Sequence, residues 1–239
     1  MRVFNAATGD LRQVLAPSTD TILDVKFSPD GSLLATAGTD QRVMIFAAAS
    51  GVRRSLFASH LDVVTAIAFS PDGGQLVSGS SDRTARVFDL KTGKLVTTYR
   101  EHEAPIYAVA FDATGQQVVS AGRDKTVHNW KVAAAKRRDG VIRSKRDILE
   151  LLIHGDRLFV AGADRRLREF GLTDAQQKRV YEPHPDWIYA LALHEKTQRV
   201  ATGCYDGSVL VWDLTSGALL KQFFATPLGP VTAEKAAAP

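Results

Sequence analysis

Short apolar runs separated by turn residues fill this chain, and no stretch sustains a helical period. Residues 63–69, Val-Val-Thr-Ala-Ile-Ala-Phe, read as a strand buried on both faces. Ser70-Pro71-Asp72-Gly73 then forms a turn: proline presets φ, aspartate bonds back to the backbone and glycine admits φ > 0. Residues 75–79 and 84–88 supply two further strands around Ser81-Asp82-Arg83. After Lys91-Thr92-Gly93-Lys94 comes a fourth, residues 95–99. Four strands at such short spacing predict an antiparallel sheet.

The pattern recurs. Phe46, Phe88, Trp130, Phe170 and Trp212 close equivalent strands at spacings of 42, 42, 40 and 42, and counting 42 back from Phe46 lands on Phe4. Asp40, Asp82, Asp124, Asp164 and Asp206 each stand six residues before the closing aromatic. Thr36, Ser78, Ser120 and Thr202 stand four before four of those aspartates. A unit of about 40 residues with four strands predicts sheets repeated radially around an axis.

In these registers the sequence resembles the WD-repeat β-propeller family, with Ser-Pro-Asp-Gly turns and economical repeats of the bacterial type. The resemblance implies an all-β propeller of four-stranded antiparallel blades, here five complete blades plus about half a blade, an incomplete ring. Residues 1–230 are expected to form one domain: a partial blade over 1–17, full repeats over 18–59, 60–101, 102–143, 144–183 and 184–226, then a flexible tail or truncated strand over 231–239. The chain starts at a third strand (2–5) and an outer strand (11–15), and residues 229–233 open another inner strand. An open ring exposes faces that neighbouring blades should bury. Of three explanations, a segment of a longer protein is favoured over a ring completed by another copy or a strained, open six-bladed ring.

The resemblance also assigns the recurring polar residues to a structural relay, in which a histidine meets the turn aspartate while Ser/Thr and the Trp indole complete the chain. Buried polar groups are costly unless paired, so such a relay must be satisfied throughout. His102, Ser120, Asp124 and Trp130 make a full set, as do His184, Thr202, Asp206 and Trp212. His60, Ser78 and Asp82 are followed by Phe88, which cannot donate. The first repeat has Ser18 in place of histidine. The fourth has Ser144, Val160 and Phe170 around Asp164, and is expected to be the least well stapled.

A catalytic reading of these residues is weaker. No phosphate loop, Gly-x-Ser-x-Gly elbow or His-Glu-x-x-His motif is present, and the residues expected in the central channel form no acidic and histidine cluster. His128, His154 and His194 share no unit with one another or with a spare carboxylate. Cys204, the one cysteine, excludes a disulfide framework. No enzyme activity, cofactor or metal is expected.

Family partners commonly dock on the narrow face, beside the start of each inner strand and the turn aspartate. Blades 1 and 2 place small or aliphatic residues there: Thr21, Leu23 and Thr39, then Val63, Thr65 and Ser81. The third to fifth repeats place Pro105, Tyr107 and Arg123, then Asp147, Leu149 and Ala163, then Trp187, Tyr189 and Tyr205. Aromatics and Arg dominate interface hot spots, so the partner patch is expected at Tyr107, Arg123, Asp147, Leu149, Trp187, Tyr189 and Tyr205.

Composition adds a basic window and little else. The net charge of +4 divides into +6 over residues 131–146 and −2 elsewhere. Residues 136–142 align with the outer strand of blade 3, where Lys and Arg guard an edge. Arg165, Arg166 and Arg168 extend the charge, but no aromatic platform interleaves it. Proteins or peptides are therefore expected as partners ahead of nucleic acid. The incomplete blade offers a site for self-association. No apolar run spans a membrane and no signal segment opens the chain, which suggests the cytoplasm. A rival reading is a regulatory or targeting propeller within a larger bacterial kinase, protease or cytochrome-type protein.

Overall fold

The computed structural model describes residues 1–15, 20–137, 142–181 and 184–225. A hairpin of β1 (Arg2–Phe4) and β2 (Leu11–Val14) comes first. Blade 1 follows with β3 (Ile22–Phe27), β4 (Leu33–Gly38), β5 (Val43–Ala47) and β6 (Arg53–Phe57). Blade 2 holds β7 (Val64–Phe69), β8 (Gln75–Ser80), β9 (Ala85–Asp89) and β10 (Lys94–Tyr99). Blade 3 holds β11 (Ile106–Phe111), β12 (Gln117–Gly122) and β13 (Thr126–Lys131), with an outer strand in two pieces, β14 (Lys136–Arg137) and β15 (Ile142–Arg143). Blade 4 holds β16 (Ile148–His154), β17 (Arg157–Gly162), β18 (Leu167–Gly171) and β19 (Gln177–Tyr181). Blade 5 holds β20 (Ile188–His194), β21 (Arg199–Cys204), β22 (Ser208–Asp213) and β23 (Leu219–Phe224). Each blade is an antiparallel meander, inner strand to outer.

Local chemistry sets the turns. Asp72 Oδ1 accepts from the Ser70 hydroxyl at 2.5 Å and from the Gly74 N–H at 3.0 Å, while Gly73 takes φ 71°. Between the second and third strands the residue after the aspartate is left-handed in every blade: Gln41, Arg83, Lys125, Arg165 and Gly207. A side chain at positive φ costs roughly 1–2 kcal/mol, a cost only blade 5 avoids by using glycine.

The core lies between blades, because each sheet is apolar on both faces. Ala35, Val43 and Ile45 of blade 1 meet Ile67 and Leu76 of blade 2, and equivalent layers join blades 2 to 3, 3 to 4 and 4 to 5. Inner strands β3, β7, β11, β16 and β20 pack in succession, and no comparable packing joins β20 back to β3. Met1, Val3 and Leu15 of the hairpin cover Leu34, Met44 and Phe46, the outer part of blade 1's free face. Its inner part stays bare. Phe27 is 56% exposed and Val25 39%, against 1% for Ile67, which stands 42 residues after Val25. Among the described residues β1 pairs with β2 alone, so the hairpin is the outer half of a blade. Among the described residues the architecture is a β-propeller of five blades and the outer half of another.

Candidate functional site

Each relay starts in the loop before the inner strand and crosses to the turn after the second strand. In blade 3 it closes. His102 Nδ1 lies 2.6 Å from Asp124 Oδ2, His102 Nε2 lies 2.7 Å from Ser120 Oγ, and the Trp130 indole N–H donates to Ser120 Oγ at 3.1 Å. Burial raises the Asp124 pKa, but the His102 contact and the Thr126 hydroxyl outweigh it and hold the carboxyl at about 2. Blade 2 makes the histidine links, His60 to Asp82 at 2.9 Å and to Ser78 at 2.6 Å, and Arg86 lies beside Asp82 at 3.6 Å.

Blade 5 departs from expectation. His184 Nε2 reaches Thr202 Oγ1 at 3.1 Å and the Trp212 indole donates to that oxygen at 3.4 Å, yet among the described residues no hydrogen bond joins His184 to Asp206. Asp206 instead accepts from the backbone N–H and hydroxyl of Ser208. Burial lowers the His184 pKa to about 4, with the Tyr181 backbone pulling the other way. In blade 4, Ser144 donates to Asp164 at 3.2 Å and Arg168 pairs with it at 2.6 Å, so a serine and an arginine replace the histidine. Ser18 of the first repeat lies outside the described residues, and Asp40 Oδ2 is buried with no hydrogen-bond partner among the described residues.

His128 is more involved than its isolation in sequence suggests. Its ring stacks on His102 at 4.1 Å, its Nδ1 lies 2.8 Å from the Tyr99 hydroxyl, and its Nε2 lies 3.0 Å from Thr126 Oγ1. Thr126 donates to Asp124 at 2.7 Å, so blade 3 carries one continuous polar network. Burial is the largest of the effects that lower the His128 pKa to about 3. His102, Asp124 and His128 lie close enough to suggest a metal centre. Every ring nitrogen of the two histidines is already engaged, and stacked imidazoles aim their lone pairs in parallel, so hydrogen bonding accounts for the cluster.

Around the start of β20 and the end of β21, Trp187, Tyr189 and Tyr205 come together with ring centroids 5.9 to 6.4 Å apart and mutual tilts of 39 to 43°. The Tyr205 N–H donates to the Trp187 carbonyl at 2.9 Å, which fixes the two side by side. All three rings are exposed, Tyr205 most at 73%. The Tyr189 pKa is raised, first by partial desolvation and then by Tyr205, Asp186, Tyr107 and Asp147, which places Tyr107 and Asp147 in the same field. Asp147 and Leu149 line an open cleft of about 510 Å³ with Lys145, Arg146, Arg165 and Trp187. Arg123 is exposed, and its backbone N–H donates to the Pro105 carbonyl at 2.9 Å.

The WD40 repeat family (WD domain, G-beta repeat) matches residues 9–46, 51–89, 93–131 and 175–213, more than half of the sequence. The chain belongs to the WD40 family. The human THO complex subunit 6 is 40% identical over 57 residues, 24% of this chain and 17% of that protein, and the mouse homolog is 39% identical over the same length. The chain thus matches under a fifth of those relatives' length. These relatives are eukaryotic, so a bacterial type draws no support from them. The solved structure of U3-55K superposes with TM-score 0.82 at 22% identity, covering 89% of this chain and 67% of that one. At that identity the likeness concerns the fold alone.

No WD40 match falls over residues 132–174, where blade 4 replaces the histidine relay. The matched units are also staggered against the blades: residues 51–89 begin with outer strand β6 of blade 1 and end with β9 of blade 2. The stagger explains a set of residues that the repeat reading missed. Phe57 stacks on Phe88 at 4.3 Å, Tyr99 on Trp130 at 4.7 Å, and Tyr181 meets Trp212 edge-on at 5.9 Å, each outer-strand ring clamping the closing aromatic of the next blade. A constant spacing of 31 residues in all three pairs was the available signal.

Proposed function

We propose that this chain is a non-catalytic WD40 interaction module whose narrow face, from blade 3 to blade 5, receives a protein or peptide. WD40 propellers generally serve as scaffolds, and the THO complex subunit 6 match is consistent with such a role. The observation that carries the reading is the exposed Trp187, Tyr189 and Tyr205 group beside the blade 4 cleft. Large rigid rings left in water on a folded protein are the anchors that interfaces use. The relay beneath holds the face and carries no chemistry. Trp187→Ala/Tyr205→Ala, with the melting curve unchanged, is expected to abolish partner capture, and undiminished capture overturns the reading. A basic-patch route to nucleic acid predicts instead a duplex affinity that falls steeply with salt and survives this double substitution. A place within a larger regulatory protein is compatible with the same face.

A further inference from the structure

We infer that the Trp187, Tyr189 and Tyr205 group is a cage for a quaternary ammonium, presented by the partner as a trimethylated lysine. The inference rests on the narrow-face reading above and names the chemistry of its anchor. Three observations carry it. First, centroids 5.9 to 6.4 Å apart let one cation seated over the group lie within roughly 6 Å of all three ring centroids at once. Rings that filled a core would be buried, as Trp130 and Trp212 are, whereas these three stand in water.

Second, the charge beside the rings is negative where the phenols lie. Asp186 and Asp147 both act on Tyr189, and Asp186 is held in place by the N–H of Trp187 at 2.8 Å. A cation gains from the carboxylates as well as from the ring quadrupoles.

Third, the rings themselves offer π surface and only two phenol oxygens as acceptors, and Asp186 Oδ1 is already taken by the Trp187 N–H. A primary ammonium has three N–H donors and a guanidinium five, and each donor left unpaired on leaving water carries a cost. A trimethylammonium has none, so aromatic walls can desolvate it cheaply. On the other side of Trp187, Lys145, Arg146 and Arg165 line the cleft, and they fit an acidic residue of the same peptide.

The test is calorimetric titration of the intact chain with three peptides differing at one position: trimethyllysine, lysine, and a neutral isostere carrying a tert-butyl group. Tetramethylammonium chloride alone is the fourth probe. The trimethyllysine peptide is expected to bind about tenfold tighter than either counterpart, as cation–π contacts from several rings require. Tetramethylammonium should compete with it. Tyr205→Ala is expected to erase the preference, while Tyr205→Phe, which keeps the ring, retains it. Equal affinity for the three peptides, a preference indifferent to Tyr205→Ala, or no saturable tetramethylammonium binding overturns the cage. Those outcomes leave the docking face standing if Trp187→Ala/Tyr205→Ala still abolishes capture, so the two readings fail separately.

Discussion

Blade 3 and blade 5 carry relay residues at the same four positions, differing only in Ser120 against Thr202, and only blade 3 connects all four. In blade 3 the His102 ring lies flat on His128, whose far side is held by the Tyr99 hydroxyl, so the ring plane is set before Asp124 is reached. The equivalent third-strand residue in blade 5 is Leu210, which offers no ring to stack on, and His184 tilts 38° against Trp212. Blade 3 is also packed between two sheets, while among the described residues blade 5 has a partner sheet on one side. A shared motif supplies the donors and acceptors; the packing around it decides whether they meet.

The widest separation between the two blades is expected from the aspartates. Asp124→Asn should cost about 3 kcal/mol in urea unfolding, since it breaks a buried pair, and Asp206→Asn under about 1 kcal/mol. Equal costs would dissolve the comparison. The pH dependence follows from the same carboxylate. The folded-state pKa of Asp124 is depressed to about 2, so its stabilisation is present above about pH 4 and is lost as pH falls toward 2. Asp124→Asn should flatten that acid limb.

Glu150 of blade 4 has the opposite sign and sharpens the contrast between a carboxylate held by a histidine and one held by a single backbone N–H. Burial raises it to about 7, with the Leu151 N–H and Lys26 opposing and Asp24 adding to the rise. A raised acid stabilises below its unfolded pKa and loses that as pH climbs through 7. Glu150→Gln should therefore gain about 2 kcal/mol at pH 8 relative to pH 5, read from melting curves at both.

Next come the clamps. Tyr99→Phe leaves the His128 side of the blade 3 network short of a hydroxyl and should cost about 1.5 kcal/mol in urea unfolding. Smallest is the turn. Lys125→Gly removes a left-handed side chain and should stabilise blade 3 by up to about 1 kcal/mol in thermal unfolding, matching the glycine blade 5 already has at Gly207.

Much of the blade was legible because it is local. The turn aspartates, the inner strands rich in Val, Ile and Ala, and the hairpin at the start are written in residues a few positions apart. The 31-residue clamp between Tyr99 and Trp130 was equally regular but crosses a blade boundary, so reading one repeat at a time hides it. His128 looked isolated because its partners arrive from the end of blade 2, through Tyr99, and from the loop before β11, through His102.

By itself, the sequence determined the strand pattern, the repeat, the half blade and which repeat carries Trp187, Tyr189 and Tyr205. Period and turn chemistry are short-range, and they survive without knowledge of neighbours. Only the tertiary structure decided that the blade 3 relay closes while that of blade 5 does not, and that Trp187, Tyr189 and Tyr205 meet within 6.4 Å. Those outcomes depend on ring planes and sheet-to-sheet packing, which are set by residues tens of positions away.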